Sequence, residues 1–125
     1  MYKKLVSYCL SKKGAVEDYP FGPEPLVMKV GGKMFALITV PGEQDATVSI
    51  SLKCDPVIAA NLREQHECVQ PGYHLNKTHW NTVVADGSLP MDDMQAMIDH
   101  SYELVLGSLT RAAREAILLK IGGSR

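Results

Sequence analysis

Three β-rich runs near the start of the chain, joined by very short connections, constrain the fold more than any other feature of the sequence. Leu26–Val30 and Lys33–Val40 are separated only by Gly31-Gly32, a dipeptide typical of a two-residue β-hairpin turn. Pro41–Asp45 has the composition of a second turn, and Thr47–Lys53 follows it directly. Because connections this short join antiparallel neighbours, the sequence predicts three consecutive antiparallel strands.

The third of these runs alternates strictly between apolar and polar residues. Val48, Ile50 and Leu52 fall on one side of a strand, which predicts that this side is buried. The other side carries Thr47, Ser49, Ser51 and Lys53. We expect these four polar residues to line an exposed sheet face that is available for binding.

Helical patterns surround the strands. Tyr2–Lys13 has apolar residues at i, i+3, i+4 and i+7, and Gly14 is a suitable stop. A second helix begins at Asp55-Pro56, where an oxygen acceptor at the N-cap precedes a residue with a helical φ, and it extends to about His66. The remaining elements are a short strand over Trp80–Ala85, a long helix over Pro90–Gly107 and a final helix over Arg111–Lys120.

The order of these elements is α-β-β-β-α-β-(β)-α. A sheet with one apolar face needs cover, and amphipathic helices on that face provide it. The sequence therefore predicts an α+β two-layer sandwich, with an antiparallel sheet and the helices on one face. A length of 125 residues suits a single domain over residues 1–125.

Charge and cysteine content narrow the function classes. Thirteen Lys and Arg against fourteen Asp and Glu give a net charge of -1, so any binding to nucleic acid depends on a local patch. Cys9, Cys54 and Cys68 are odd in number and widely spaced, which indicates reduced thiols and a cytoplasmic location. The first residues lack the apolar region of a signal peptide, and no apolar run is long enough to span a membrane.

The segment Pro71–Thr82 is the strongest candidate for a functional site. It concentrates two histidines, a lysine, two asparagines and the only tryptophan of the chain behind a Pro-Gly turn. This composition is typical of an ordered surface segment that binds something. The candidate residues are Tyr73, His74, Asn76, Lys77, His79, Trp80 and Asn81. The structural alternative is that Trp80 is a core residue and the asparagines cap the loop around it.

The same segment also carries a family resemblance. Pro71–Thr82 resembles the long central motif of the MmcQ/YjbR family. Further phrases follow the order of that family over residues 1 to about 110, namely Phe21-Gly22-Pro23, Val30–Ala36, Lys53-Cys54-Asp55, Asp86–Pro90 and His100–Val105. The resemblance implies a small cytosolic bacterial protein with a frataxin-like (CyaY-like) or secretion-chaperone-like fold. It also implies binding to DNA in a double-wing mode.

Carried over to this sequence, the resemblance implies a set of DNA contacts: Lys33 in the hairpin, Lys53, His74, Asn76, Lys77, His79, Trp80 and Asn81. Physically, the three lysines can each contact a phosphate, and Tyr73 and Trp80 can stack on bases. Three contacts predict weak, salt-sensitive binding. The chain departs from a typical DNA-binding protein in its lack of net positive charge.

Other chemistries have less support in the sequence. Cys68, His74 and His79 stand six and five residues apart, which matches no common zinc pattern, so we expect no metal or other cofactor. No nucleophile, phosphate-loop or metalloprotease motif is present, and we predict that the protein is not an enzyme. Cys54 at a helix start comes nearest to an activated thiol, but Asp55 opposes its ionisation. The alternative function is a module that binds a partner protein or a small ligand.

Overall fold

Four helices and six strands make up the part of the chain that the computed structural model describes, residues 1–39 and 47–123. The helices are α1 (Tyr2–Leu10), α2 (Pro56–Gln65), α3 (Met91–Ser108) and α4 (Arg111–Gly123). The strands are β1 (Val16–Asp18), β2 (Leu26–Val30), β3 (Lys33–Thr39), β4 (Ser49–Lys53), β5 (Val69–Pro71) and β6 (Trp80–Val84). Val40 and the predicted turn Pro41–Asp45 lie outside the described residues.

All six strands belong to one sheet in the order β1-β2-β3-β4-β6-β5, and every pairing is antiparallel. The predicted α+β sandwich with three consecutive antiparallel strands is therefore confirmed. β2 has the predicted bounds, and its hairpin turn with β3 lies at Gly31-Gly32. Of the two edge strands, β1 was not predicted. β5 brings the strands between α2 and α3 to two, which the predicted order allowed, but no residues were assigned to it. Each edge strand has only three residues, which is too short to show a period of two.

The helices α1, α2 and α3 pack on one face of the sheet and bury its apolar side chains. The register places Leu26, Ile38, Ile50 and Val83 side by side on this covered face, and all four are buried. α1 and α3 complete the core with Leu5, Cys9, Met94, Ile98, Tyr102 and Val105. Each large apolar side chain buried here contributes about 1.5–3 kcal/mol relative to exposure. Burial also raises the pKa of the Cys9 thiol to about 12.

A β-bulge attaches α3 to the sheet. The register shifts between Met28 and Lys29, so Phe35 is an extra residue on β3. Its ring meets the edge of Tyr102 with the centroids 5.4 Å apart. The hydroxyl of Ser101 donates to the Phe35 carbonyl oxygen at 2.5 Å and accepts from the backbone N–H of Lys53 at 2.9 Å. One buried hydroxyl thus satisfies backbone groups of both β3 and β4, which fixes α3 over the ends of these strands.

α1 and α3 are also joined by polar side chains at their outer edge. The phenol of Tyr8 donates to Asp99 at 2.6 Å, and the Lys12 ammonium forms an ion pair with the same carboxylate. Burial alone would raise the pKa of Asp99, but the hydrogen bonds from Lys12 and Tyr8 lower it below its ordinary value. This contact therefore holds α1 against α3 most strongly when Asp99 is ionised.

The face of the sheet opposite the helices is less exposed than predicted. Of the four polar residues expected there, Thr47 is exposed, and Ser49 and Lys53 are half-buried. Ser51 was expected to be exposed, but it is only 4% exposed. Its hydroxyl lies 2.8 Å from that of Thr82, its neighbour on β6, and the Thr82 oxygen also accepts from the backbone N–H of Tyr73 at 2.9 Å. The two side chains thus form a small buried network in which each hydroxyl has a partner, instead of an exposed polar strip.

The helix ends agree with the predictions to within a few residues. α1 ends at Leu10, before the predicted Lys13, and a tight turn then leads to Gly14 at φ 75°. α2 begins as predicted, with the Asp55 carboxylate accepting from the N–H groups of Val57 and Ile58. α3 continues through Gly107 to Ser108. A search of the described helices finds none that combines the length and the hydropathy needed to cross a membrane.

Candidate functional site

Two hairpin connections project from the same end of the sheet. The Val30–Lys33 pair closes the β2–β3 turn, and the Pro71–Asn81 pair begins the loop 72–79 between β5 and β6. β4 lies between the two hairpins and leaves the sheet at Lys53, which is paired with Trp80. We call this region, from the Gly31-Gly32 turn across Lys53 to the loop 72–79, the basic end. The topology thus brings together residues that are up to 48 positions apart in the sequence.

The loop 72–79 is held in shape by its own hydrogen bonds. The N–H of Gly72 donates to the Trp80 carbonyl oxygen at 2.8 Å, which extends the pairing of β5 and β6 by one step. Asn76 accepts from the N–H groups of Thr78 at 2.9 Å and His79 at 3.2 Å. The Lys77 ammonium donates to the Gly72 carbonyl oxygen at 2.8 Å and closes the loop. The loop is therefore an ordered structure, as its composition indicated.

Close packing at the base of the loop requires a glycine. A Cβ atom on Gly72 would lie 2.7 Å from Cβ of Trp80 and 3.0 Å from its carbonyl oxygen. Neither atom is at the end of a flexible side chain, so a larger residue would push the loop away from β6. Gly72 thereby lets the loop turn directly over the half-buried Trp80.

α2 anchors the loop to the body of the protein. The Arg63 guanidinium donates through Nη1 to the Lys77 carbonyl oxygen at 3.1 Å and to Oδ1 of Asn81 at 2.7 Å. The carbonyl oxygen of His79 accepts from the N–H of Cys54 at 2.8 Å. Arg63 was missed at the sequence level, where it appeared only as a basic residue in the last turn of a helix, a position that is common without any special role.

Asn81 has a structural position that does not suit the predicted contact with DNA. It is only 3% exposed, and its amide Nδ2 donates to the Ala59 carbonyl oxygen at 3.3 Å while Oδ1 accepts from Arg63. Both polar atoms are thus used to join α2 to β6. Asn81 therefore leaves the set of surface candidates, and the reason is that position 81 faces the helices instead of solvent.

The other candidates of the segment are more accessible. Tyr73 is 71% exposed, and its ring lies 4.0 Å from that of His74, centroid to centroid. His74 adopts the left-handed backbone conformation with φ 60°, which few residues other than glycine do, and it is exposed, like Asn76 and His79. Trp80 is half-buried beside the loop base. Tyr73 and His74 are thus the rings best placed to meet a ligand from solvent.

The predicted lysines all lie at the basic end. Lys33 is exposed at the hairpin turn, where its ammonium is 3.4 Å from the Ser108 hydroxyl, and Lys53 and Lys77 lie at the end of β4 and in the loop. None of these three lysines takes part in an ion pair within residues 1–39 and 47–123. Asp55 and Glu103 lie near this end as well, and one Asp55 oxygen is used to cap α2. At the opposite end, the described acidic residues include Glu24, Glu67, Asp86, Asp92 and Asp93.

The thiol considered at the sequence level is not activated. Cys54 is 6% exposed, and burial, followed by the negative charge of Asp55, raises its pKa. It therefore keeps its proton at neutral pH. Within the described part of the chain, no three His, Cys, Asp or Glu side chains are grouped closely enough to hold a metal ion.

Comparisons with known proteins agree with this architecture. The YjbR family model matches residues 10–104. The uncharacterised protein YjbR of Escherichia coli K12 is 35% identical over 115 residues, which cover 92% of this chain and 95% of that protein. The uncharacterised protein YbdF of Escherichia coli O157:H7 is 32% identical over 99 residues, 79% of each chain.

Solved structures show the same fold. A crystal structure of a Deinococcus radiodurans protein with a DUF419 domain superposes with a TM-score of 0.85 at 37% identity, covering 94% of this chain and 87% of the other. A crystal structure of a Pseudomonas syringae protein gives a TM-score of 0.73 at 26% identity, with coverages of 84% and 98%.

Proposed function

We propose that this chain, which belongs to the YjbR family, is a DNA-binding protein and that it contacts DNA with the basic end of its sheet. The proposed role is binding without catalysis. The observation that carries the proposal is the position of Lys33, Lys53 and Lys77 at the same end of the sheet as the exposed Tyr73 and His74. These residues come from three separate parts of the sequence, so their common location is a property of the fold.

The shape of this end supports contact with a duplex. β5 and β6 are joined by the ordered loop 72–79, which continues beyond Lys53, the last residue of β4. This loop is narrower than the sheet and is the part that can enter the major groove of B-form DNA, which is about 12 Å wide. The β2–β3 turn stands two strands away, on the other side of β4, and supplies the second projection expected of a double-wing mode.

The distribution of charge supports it as well. Each lysine that neutralises a phosphate releases counterions, so three contacts give a slope of about -2.7 for log affinity against log salt concentration. Raising salt from about 50 to about 200 mM then lowers affinity by about 40-fold. The hydrogen bond from Lys77 to Gly72 leaves two ammonium protons available for a phosphate oxygen.

The exposed rings supply contacts to bases. Tyr73 and the adjacent His74 can stack on an unpaired base or pack against a base edge. Stacking on an aromatic side chain contributes about 1–3 kcal/mol per base in single-stranded complexes, a factor of about 5 to 150 in affinity. The Asn76 amide nitrogen stays available as a donor, because the loop uses only its Oδ1.

The proposal is tested by fluorescence anisotropy with labelled duplex and single-stranded DNA at the two salt concentrations. Lys77→Ala and Lys53→Ala should each reduce the magnitude of the salt slope by about 0.9. Tyr73→Ala should weaken binding to single-stranded DNA without changing the slope. Lys4→Ala is the matched control, because it removes the same charge from an exposed position on α1, outside the basic end.

Two results would overturn the proposal. One is the absence of saturable, salt-dependent binding to either form of DNA at micromolar protein. The other is an equal change of slope for Lys4→Ala and Lys77→Ala, because binding would then follow the overall charge and not the basic end.

A further inference from the structure

A cleft lies on the covered face of the sheet, between α2 and α3. Its volume is about 370 Å³, within the range of roughly 300–1,000 Å³ that small-molecule sites occupy. Leu52 of β4 and Val83 of β6 form the floor. The cleft is therefore separated from the exposed sheet face by the sheet itself, and it shares only the region around Lys53 with the basic end.

The two walls of the cleft are helix stripes. On α3, Asp93, Ala96, Met97 and His100 follow the spacing i, i+3, i+4, i+7, so they share one side of the helix. On α2, Ile58 and Leu62 are four residues apart and face them, and His66 follows as the residue that ends the helix. Ile58 is 44% exposed and Ala59 is the buried residue of this helix, so α2 stands away from the core and leaves apolar surface open.

The two ends of the cleft differ in polarity. At the end near Lys53, His100 accepts from the N–H of Asp55 through Nε2 at 3.1 Å, so in the neutral ring the proton is on Nδ1. No hydrogen bond between described residues uses this Nδ1–H, and no buried side-chain nitrogen or oxygen among them lacks a partner. The donor is therefore accessible. At the other end, the negatively charged Asp93 lies beside the carboxyl end of α2 and His66.

This asymmetry selects one class of ligand. The His100 donor makes the near end favourable for an acceptor or a negative group, whereas Asp93 opposes a negative group at the far end. Asp55 is the acidic group of the near end, and its Oδ1 is directed at the helix N–H groups that it caps. Asp93 and His100 are two helical turns apart, about 10 Å, which is long enough for an alkyl chain to lie between them.

We propose that the cleft between α2 and α3 binds an apolar carboxylate, such as a medium-chain fatty acid, with its chain on Leu52, Val83 and Met97 and its carboxylate at Nδ1–H of His100. A helix of a partner protein is a poorer match, because a specific protein interface buries about 800 Å² on each partner. A cleft of about 370 Å³ has the size of a small-molecule site instead. This proposal does not rest on the proposed DNA contacts, and either can fail without the other, although Lys53 borders both sites.

Isothermal titration calorimetry with decanoate, decanol and decylamine tests the proposal, because these probes share a chain and differ in the head group. Decanoate should bind saturably and about tenfold more tightly than decanol, with decylamine weakest. The same titration followed by amide NMR should shift resonances of the cleft residues and leave the loop 72–79 unchanged. Binding of all three probes with equal affinity would overturn the assignment of the carboxylate.

Two variants locate the site. Ala96→Phe fills the cleft from an exposed position and should weaken decanoate binding by about tenfold or more. Ala60→Phe makes the same change at an exposed position on α2 that does not line the cleft, and it should leave binding unchanged. His100→Ala should remove the preference for decanoate over decanol. Equal effects of the two phenylalanine variants, or amide shifts outside the cleft in the unmodified protein, would refute this location.

Discussion

Replacing Asn81 with alanine tests whether this residue stabilises the fold instead of contacting a ligand. Asn81→Ala removes the acceptor for the Arg63 guanidinium at 2.7 Å and the donor to the buried Ala59 carbonyl at 3.3 Å. The Ala59 carbonyl oxygen lies inside α2 and keeps the N–H of Arg63 as its helical partner, so it is not left unpaired. A hydrogen bond to a charged group contributes about 1.5–3 kcal/mol, and one between neutral groups about 0.5–1.5 kcal/mol. The second distance is long, which favours the lower part of that range. We therefore expect a loss of about 2–4 kcal/mol in the free energy of unfolding.

Urea denaturation followed by circular dichroism measures this loss. With a slope of about 2 kcal/mol per molar for a small domain, the midpoint should fall by about 1–2 M. Asn76→Ala is the matched control, because Asn76 is exposed and caps only two N–H groups of its own loop. It should cost no more than about 1 kcal/mol. A double-mutant cycle with Arg63→Ala should give a coupling energy of about 0.5–3 kcal/mol.

The opposite outcome would refute the reasoning. If Asn81→Ala changed the unfolding free energy by less than about 0.5 kcal/mol, the two hydrogen bonds would contribute nothing of importance. If the same variant also weakened DNA binding by a constant factor at every salt concentration, Asn81 would be a base contact, as the sequence suggested. The variant therefore separates the two roles directly.

Three further predictions concern packing and pH. Gly72→Ala should lower the free energy of unfolding, measured with urea, by about 1–3 kcal/mol, because the new Cβ would lie 2.7 Å from Cβ of Trp80. Gly107→Ala is the matched control inside α3, where the new Cβ meets open space, and it should raise the same free energy by about 0.5–1 kcal/mol. Ser101→Ala leaves two backbone groups of β3 and β4 without their partner and should cost about 2–3 kcal/mol by the same measurement. The pKa of Asp99 is lower in the folded protein than in the unfolded chain, where it is about 4. The stability that the ionised Asp99 adds to the fold is therefore complete above about pH 4 and is lost as the pH falls through the folded pKa. The melting temperature of Asp99→Asn should accordingly depend less on pH below about 4 than that of the unmodified protein.

The sequence predicted the centre of the fold well because its signals there are local. The Gly31-Gly32 turn, the alternation before Lys53 and the Asp55 N-cap each specify a conformation through their own chemistry, and the structure has all three. The three-residue strands β1 and β5 could not be predicted in this way. They form because β2 and β6 offer unpaired backbone groups at the edges of the sheet, which is a tertiary effect.

The candidate site was predicted only in part, because its local signals can be recognised in the sequence and its tertiary contacts cannot. The segment around Tyr73 was recognised from its composition, but whether a polar residue in it faces solvent depends on the strand register. Asn81 and Trp80 are neighbours in sequence and lie on opposite faces of β6, so one side chain is directed at α2 and the other away from it. Ser51 is buried because of its neighbour Thr82, which is 31 positions away. The cleft has no local signal, because α2, α3 and two strands each contribute one side of it.

Net charge is the clearest case in which a global sequence property and the folded surface differ. A formal charge of -1 argues against attraction to a polyanion, and it would be decisive for a chain with its charges evenly mixed. Here antiparallel pairing collects Lys33, Lys53 and Lys77 at one end of the sheet, while the described acids after β6 and at the start of α3 lie at the other. Salt screens charges beyond about 8–10 Å, so a phosphate at the basic end interacts mainly with the lysines there. The local charge, and not the net charge, therefore determines the affinity for DNA. Removing one lysine at the basic end should lower this affinity more than removing one lysine on α1.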